Sequence, residues 1–442
     1  MYAVMSTLLG MLVALLTTTA AHAQAGATVP TLEEFHALEE RVRALEQAGP
    51  GPTPPPDGGY VDSGPVTATT GQTIRKIRIT NASGGCIKVD GVTDVHIEDV
   101  ILDGCGGHGV KVTNAHRVKI VNSQITPKRT KTTLETEHAV YIVGSTEVLV
   151  QGNVLKDFES GVEVAQSTSS HSIRVVGNYG ENPKGPFPRG QFTQFYPCNK
   201  NGQIETRCEV TDNHFFTQED DHHQGSGMED ALNTGSGSKH VYYARNYIEG
   251  GGASSGCGLL VEGQGTDYAL LEDNILVSTA GCGVNIANSA YAVVRRNKAL
   301  GPFETVASDS AQLGIGNWYK SGDTGCHDNE VYENTVANKL STGSYNDIWM
   351  KGGCGTQTNN TKGSTAEAQL TPKEQKIPPP SARGVAPLPW TGAGADEVRR
   401  LRARGDALAA EVERALRDGK KRSRAERRHL ADAVRAWRAG RR

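Results

Sequence analysis

Short stretches that alternate apolar and polar residues recur along the middle of this chain. The clearest example is a two-part unit that is written twice. Residues 257–262 and 268–274 form the first copy, and residues 282–287 and 291–297 form the second. The copies are offset by 25 residues between Cys257 and Cys282, and by 23 between Asn274 and Asn297. A period of this size is typical of stacked repeats.

Further copies of both parts lie before and after this unit. Each alternates at period two and ends in Asn, Asp or Gly, which indicates short strands bounded by turns. Copies of the second part end at Asp99, Asn122, Asn153, Asn178, Asn213, Asn246 and Asn334. Such a strand buries one face only, so the units must stack as a solenoid with Val, Ile and Leu inside. Asn tolerates the left-handed backbone of a sharp corner, and stacked corner Asn residues would form an internal ladder.

The pattern resembles the right-handed parallel β-helix of the pectate-lyase-like superfamily over residues 65–362. The resemblance implies an all-β solenoid of about ten rungs. Members of this superfamily include polysaccharide lyases, polygalacturonase-type hydrolases, uronan epimerases, and phage or bacterial surface spikes. The pair Glu229-Asp230 is similar to an acidic pair of the hydrolases. The third aspartate of that family, its downstream motifs and the pectate-lyase signatures have no match, so the resemblance supplies no complete catalytic set.

The ends of the chain have other compositions. Residues 1–23 combine an apolar run with a small-residue cleavage site, which predicts a secretory signal peptide. Residues 31–48 place apolar residues at coiled-coil spacing, so we expect a short helix that either joins copies of the chain or covers the solenoid end. Residues 49–64 form a Pro/Gly linker, and residues 363–394 form a second linker.

The last segment, residues 395–442, carries 16 Lys or Arg against 8 Asp or Glu. Two apolar stripes separated by Asp418-Gly419 predict a basic helical hairpin. We expect this hairpin either to contact an anionic surface or to remain a solvated tail. A nucleic-acid partner is not expected for a secreted chain.

All eight cysteines lie in the repeats. An even number behind a signal peptide predicts disulfides, with free buried thiols as the alternative. Cys257 and Cys282 occupy equivalent positions on successive rungs, which lie about 4.8 Å apart and within reach of a disulfide. Sequential pairing is therefore predicted: Cys86 with Cys105, Cys198 with Cys208, Cys257 with Cys282, and Cys326 with Cys354.

Residues 219–230 crowd five carboxylates and two histidines together. Such crowding is unfavourable unless a cation or a proton transfer makes use of it. We predict that Glu219, Asp220 and Asp221 bind Ca²⁺. The predicted catalytic residues are Glu229, Asp230, His222, His223 and Arg245.

Strand parity predicts which side chains project from the first strand of each rung into a groove. The predicted substrate-binding residues are Lys111, Tyr141, Glu163, Asn233, Glu262, Asn285, Trp318 and Trp349. The two tryptophans could instead close the end of the core. Two insertions, residues 126–138 and 180–208, are rich in basic and aromatic residues and suit an acidic polysaccharide.

These features together predict a secreted protein that binds an acidic polysaccharide and cleaves it by β-elimination. In that reaction a cation neutralises a uronate carboxylate while a base removes the neighbouring proton. Two other functions stay open: hydrolysis between two carboxylates, and a structural or adhesive role without catalysis.

Overall fold

The computed structural model describes residues 59–128, 138–165, 170–183, 190–200, 202–217, 229–250, 256–279, 281–302, 313–318, 325–340 and 342–369. In this part the chain forms 34 strands, a 3₁₀ turn at Ile204–Thr206 and a helix, α1, at Gly363–Gln369. The predicted signal peptide, coiled-coil helix and basic hairpin lie outside the described residues. None of the described helices is both long and apolar enough to cross a membrane.

The strands make three parallel sheets. Sheet A contains β1 (Val61–Ser63), β4 (Ile77–Thr80), β7 (Ile101–Cys105), β10 (Gln124–Pro127), β13 (Val154–Lys156), β16 (Tyr179–Glu181), β19 (His214–Phe216), β22 (Tyr247–Glu249), β25 (Ile275–Val277), β28 (Lys298–Pro302), β31 (Thr335–Lys339) and β34 (Thr361–Lys362). Sheet B contains β2 (Val66–Thr67), β5 (Ile87–Asp90), β8 (Val110–Thr113), β11 (Val140–Val143), β14 (Val162–Val164), β17 (Thr193–Phe195), β20 (Leu232–Thr234), β23 (Cys257–Glu262), β26 (Cys282–Ala287), β29 (Leu313–Trp318) and β32 (Ile348–Met350). Sheet C contains β3 (Thr73–Arg75), β6 (Thr93–Glu98), β9 (His116–Val121), β12 (Thr146–Gln151), β15 (His171–Val176), β18 (Glu209–Thr211), β21 (Tyr242–Ala244), β24 (Leu270–Glu272), β27 (Val293–Arg295), β30 (Asn329–Tyr332) and β33 (Gly355–Thr358).

Each turn of the chain adds one strand to every sheet, in the order A, B, C. The described residues contain eleven such turns and the further strand β34, against about ten predicted from the repeats. Strand alternation supplies the core: on β8, Val110 and Val112 are fully buried while Lys111 lies on the opposite face. The predicted all-β parallel solenoid is confirmed.

A ladder of asparagines runs between sheets C and A. Seven successive pairs are joined by a hydrogen bond from Nδ2 to Oδ1 of 2.9–3.1 Å. Its members are Asn153, Asn178, Asn213, Asn246, Asn274, Asn297, Asn334 and Asn360. The predicted ladder is confirmed. The residue before each of these asparagines, such as Asp212 or Gly177, adopts the left-handed conformation, rather than the asparagine itself. At the corner one turn before Asn153, Asn122 is the left-handed residue and Ser123 takes the ladder position.

The four predicted disulfides are all present: Cys86–Cys105, Cys198–Cys208, Cys257–Cys282 and Cys326–Cys354. The third joins strands β23 and β26, where the two cysteines are direct neighbours in register. Repeat geometry was sufficient to select this pairing because equivalent positions on successive strands lie within disulfide reach.

Candidate functional site

On the outer face of sheet B, each strand from β5 to β32 contributes one outward position near its middle. Because the strands pair in register, these positions follow one another along the solenoid axis. We call this set the outer row, and its members are Lys88, Lys111, Tyr141, Glu163, Gln194, Asn233, Leu260, Asn285, Gly316 and Trp349. Neighbouring members are about 4.8 Å apart along the axis, which is the spacing between strands.

The outer row differs in accessibility along its length. Lys88 and Trp349, near its two ends, are exposed, whereas Glu163, Gln194 and Asn233 in the middle are 9%, 5% and 3% exposed. Polar groups at this depth need hydrogen-bond partners. The middle of the row is therefore the place where a specific arrangement of polar groups is held.

Four residues near the middle of the row form what we call the central cluster: Tyr196, Asp230, Asn233 and Glu262. The Tyr196 hydroxyl donates a hydrogen bond to Glu262 Oε1. Asn233 Nδ2 donates to Glu262 Oε1 at 3.3 Å and to Asp230 Oδ2 at 2.9 Å. Tyr196 and Glu262 are partly exposed, while Asp230 and Asn233 are buried beneath them. The cluster thus has a partly exposed phenol and carboxylate above two buried polar side chains.

The pKa of Asp230 is strongly shifted by its surroundings. Burial and the neighbouring charge of Glu229 raise the pKa of Asp230 to about 8, although the backbone N–H of Cys257 and the amide of Asn233 oppose that rise. The Cys257 N–H donates to Asp230 Oδ1 at 2.8 Å. Glu229 is partly exposed and accepts a hydrogen bond from Gln191 Nε2 at 3.1 Å. At neutral pH the Asp230 carboxyl is therefore largely protonated.

A group of stacked rings lies on the same face, on earlier turns of the solenoid than the central cluster. His108 stacks on Tyr141 with ring centroids 4.4 Å apart, and His138 lies 5.1 Å from both rings. His138 is fully buried, and its Nε2 is 3.4 Å from Glu163 Oε2. Burial, assisted by the charge of Lys111, lowers the pKa of His108 to about 4. His108 is therefore neutral at physiological pH.

The structure separates the predicted catalytic residues. Glu229 and Asp230 lie beside the outer row, but Arg245 follows a strand of sheet C, where its Nε donates to Asp212 Oδ1 at 2.7 Å. Arg245 is thus held on another sheet by its own ion pair. His222, His223, Glu219, Asp220 and Asp221 lie outside the described residues. Among the residues that are described, no group of three or more His, Cys, Asp or Glu side chains is arranged to hold a metal ion.

The predicted substrate-binding residues all lie on strands of sheet B. Six belong to the outer row, namely Lys111, Tyr141, Glu163, Asn233, Asn285 and Trp349, and Glu262 belongs to the central cluster. Trp349 ends the row and is 45% exposed, so it is not enclosed in the core. Trp318 is the last residue of β29, and the placement of its side chain lies outside what the structure describes.

Sequence reasoning missed several polar residues of this face. Gln194 continues the outer row, but the strand that bears it, β17, follows an insertion that hides the repeat. Gln191 and His108 precede their strands, where period-two alternation gives no guidance. Tyr196 was noted only as an aromatic residue of the insertion. Tyr196 lies two residues after Gln194. Alternation at period two therefore predicts that both side chains face outward from sheet B.

Comparison with known proteins agrees with this architecture. A family model described as a right-handed β-helix region matches residues 66–218. The described residues have the fold of a right-handed parallel β-helix. No curated protein sequence matches it significantly.

Several solved structures have a similar fold. The Dettilon tailspike protein is 11% identical, with a TM-score of 0.37 over 76% of this chain and 65% of the tailspike. This β-helix chain therefore spans about two thirds of the length of that relative. A mannuronic-acid-specific polysaccharide family 6 lyase from human gut microbiota is 12% identical, with a TM-score of 0.38 over 82% of this chain and 98% of the lyase. PfbA, a surface adhesin of Streptococcus pneumoniae, is 10% identical, with a TM-score of 0.30 over 70% of this chain and 81% of the adhesin. At these identities the similarity concerns the fold alone.

Proposed function

We propose that the outer row of sheet B binds an acidic polysaccharide and that the central cluster cleaves it by β-elimination. The observation that carries this proposal is the contact between the Tyr196 hydroxyl and the Glu262 carboxylate, on a partly exposed surface in the middle of the row. Lys88 and Lys111 extend the same row and favour a polymer with negative charges. Four disulfides support secretion into an oxidising compartment.

β-Elimination from a uronate removes the proton next to the carboxylate and expels the glycosidic oxygen. In the proposed step Glu262 accepts the phenolic proton, and the Tyr196 phenolate takes the proton next to the substrate carboxylate. The bond to the glycosidic oxygen breaks as the carbon–carbon double bond forms, and Tyr196 returns a proton to that leaving oxygen. A positioned base of this kind contributes a factor of about 10² to 10⁴ in rate. The buried Asp230 and Asn233 hold Glu262 in place from below through the Asn233 amide.

The substrate carboxylate must also be neutralised for its neighbouring proton to become acidic. Calcium bound by Glu219, Asp220 and Asp221 stays our prediction for this role, since oxygen ligands of this type suit the ion. This part of the proposal is tested separately from the Tyr196 base, by adding or removing calcium.

Hydrolysis fits the arrangement less well. It requires two carboxyl groups that reach the substrate from opposite sides of the bond. The Asp230 carboxyl is 1% exposed and is occupied by the Cys257 N–H and the Asn233 amide. We therefore assign Asp230 the role of a positioning residue.

The test incubates purified protein with pectate, alginate and glucuronan, with and without calcium, and follows the ultraviolet absorbance of the unsaturated uronate product. Tyr196→Phe removes the phenolic proton carrier and should lower the rate by a factor of about 10² or more. Tyr268→Phe is the matched control, because Tyr268 is an exposed tyrosine whose ring stacks on His240 and Tyr291 away from the outer row.

Three results would contradict the proposed reaction. New reducing ends without an unsaturated product would indicate hydrolysis. Polysaccharide binding without any product would indicate a non-catalytic binding protein. Equal rates in Tyr196→Phe and Tyr268→Phe would remove Tyr196 from the chemistry.

A further inference from the structure

A cavity of about 510 Å³ opens at the amino-terminal end of the outer row. Its lining includes Lys88, Lys111 and His108, together with the glycines Gly85, Gly106 and Gly107. This cavity lies on the same face as the central cluster but on earlier turns of the solenoid.

One wall of the cavity is formed by main-chain atoms, because the residues there are glycines. Two successive turns of the chain approach each other closely here, and a Cβ on Gly107 would lie 2.9 Å from the backbone nitrogen of Gly85. A Cβ on Gly106 would overlap the carbonyl oxygen of Ala82. The Cys86–Cys105 disulfide links the same two turns. The wall is thus fixed by backbone packing and a covalent bond, so the cavity has a defined shape in the absence of a ligand.

Two lysines line one side of the cavity, and they differ in whether a carboxylate pairs with them. Lys88 and Lys111 are direct neighbours in register on β5 and β8, an arrangement of like charges that is unfavourable by itself. Lys88 is paired with Asp90 at 2.8 Å. Lys111 has no carboxylate partner among the residues that the structure describes, and its Nζ lies 5.8 Å from the centroid of the Tyr141 ring.

His108 contributes an imidazole ring to the same cavity wall. Its Nδ1 is buried and has no hydrogen-bond partner within the described part of the chain. The His108 ring lines the cavity, and it is uncharged at neutral pH, so Lys111 supplies the positive charge on this side. A lysine that has no carboxylate partner among the described residues, in a cavity with a fixed backbone wall, is complementary to an anionic group with several oxygen atoms.

We propose that this cavity is a distal subsite that binds an anionic group of the polysaccharide, either a carboxylate or a sulfate ester. The inference rests on the proposed function and specifies how the substrate is held. Lys111 lies on β8, and the nearest member of the central cluster, Tyr196, directly follows β17. The two strands are three strand spacings apart along the axis, about 14 Å. The subsite therefore binds a sugar unit remote from the reacting bond, and it makes binding depend on chain length.

The experiment measures calorimetric binding of a saturated uronate hexamer in a Tyr196→Phe background, which prevents cleavage. Lys111→Gln should weaken the binding of the hexamer roughly tenfold, the loss expected for one charge-assisted hydrogen bond. Lys111→Arg should retain most of the affinity. Lys119→Gln is the matched control, since it removes the same charge from an exposed position on sheet C of the same rung. Thermal unfolding checks that each variant is folded.

Two ligand comparisons identify the anionic group. If the Lys111 effect disappears with a carboxyl-reduced hexamer, the subsite binds a carboxylate. If a sulfated neutral oligosaccharide shows the same Lys111 effect, the subsite binds a sulfate ester.

The outcomes also separate the two proposals. Equal hexamer affinities in Lys111→Gln and Lys119→Gln would overturn the subsite and leave the proposed function intact. Hexamer binding that depends on Lys111, in a protein whose wild type forms no unsaturated product, would support the subsite and overturn the proposed reaction. A protein that binds none of these oligosaccharides would overturn both.

Discussion

Two rows of polar side chains run along this solenoid, and they differ in composition. The asparagine ladder repeats one residue type on successive turns, and each member donates to the next within 2.9–3.1 Å. The outer row of sheet B changes residue type at almost every strand, from lysine through tyrosine and glutamate to amides and tryptophan.

This difference distinguishes a row that stabilises the fold, the asparagine ladder, from a row whose side chains are available for binding, the outer row. A row of identical residues at the strand spacing can satisfy itself, because each side chain meets the same geometry as the one before. A row of different residues cannot be satisfied by repetition, so its groups require particular neighbours or a ligand. Asn233 meets this requirement by donating to Asp230 and Glu262, whereas Lys111 has no carboxylate partner among the described residues.

The largest expected effect comes from breaking the ladder in its middle. Asn246→Ala removes the acceptor used by both nitrogens of Asn213 and the donor to Val210 and Asn274, all of them buried. Unsatisfied buried groups should lower the free energy of unfolding by about 3 to 5 kcal/mol. Denaturant unfolding measures this loss.

Asn285→Ala in the outer row is the control for the ladder variant. The Asn285 Oδ1 atom has no hydrogen-bond partner among the described residues, so its removal should cost less than about 1 kcal/mol. Similar losses in the two variants would mean that the two rows do not differ in their contribution to stability.

A smaller effect concerns the acid beneath the outer row. The pKa of Asp230 is raised to about 8 in the folded protein, mainly by burial, so the folded state binds more protons than the unfolded state between pH about 4 and about 8. The free energy of unfolding should therefore decrease as pH rises through this window, by at most about 1.4 kcal/mol per pH unit. Denaturant unfolding at several pH values should show a shallower slope for Asp230→Asn. An unchanged slope would show that Asp230 does not titrate abnormally.

The sequence was most informative where structure depends on repetition. Period-two alternation indicates which side chains face the core, and the repeat aligns equivalent cysteines and asparagines across turns, as in Cys257–Cys282 and Asn274–Asn297. One detail was wrong, because the left-handed residue precedes the ladder asparagine. The turn needs one residue to bend the backbone and the next to bond along the axis, a division of roles that the spacing alone does not reveal.

The candidate site could be predicted only in part. Strand parity assigned Lys111, Tyr141 and Glu163 to one face, since that property is local. It did not predict that Tyr196 would contact Glu262, which is 66 residues away, because the five strands β18 to β22 lie between them in the chain. Arg245 was predicted to be catalytic, whereas the structure places it directly after a strand of sheet C, where it pairs with Asp212.

The smallest stability effect is expected at the end of the outer row, where Trp349 tests whether exposure there serves binding. The side chain is 45% exposed, so Trp349→Ala should change the free energy of unfolding by no more than about 0.5 kcal/mol. An exposed indole that stacks on a sugar ring should nevertheless contribute to affinity, and its loss should weaken polysaccharide binding several-fold. Unfolding and binding measured on the same preparation compare the two effects. A loss of stability without a loss of affinity would instead assign Trp349 to closure of the solenoid end, and the functional part of the row would then stop before β32.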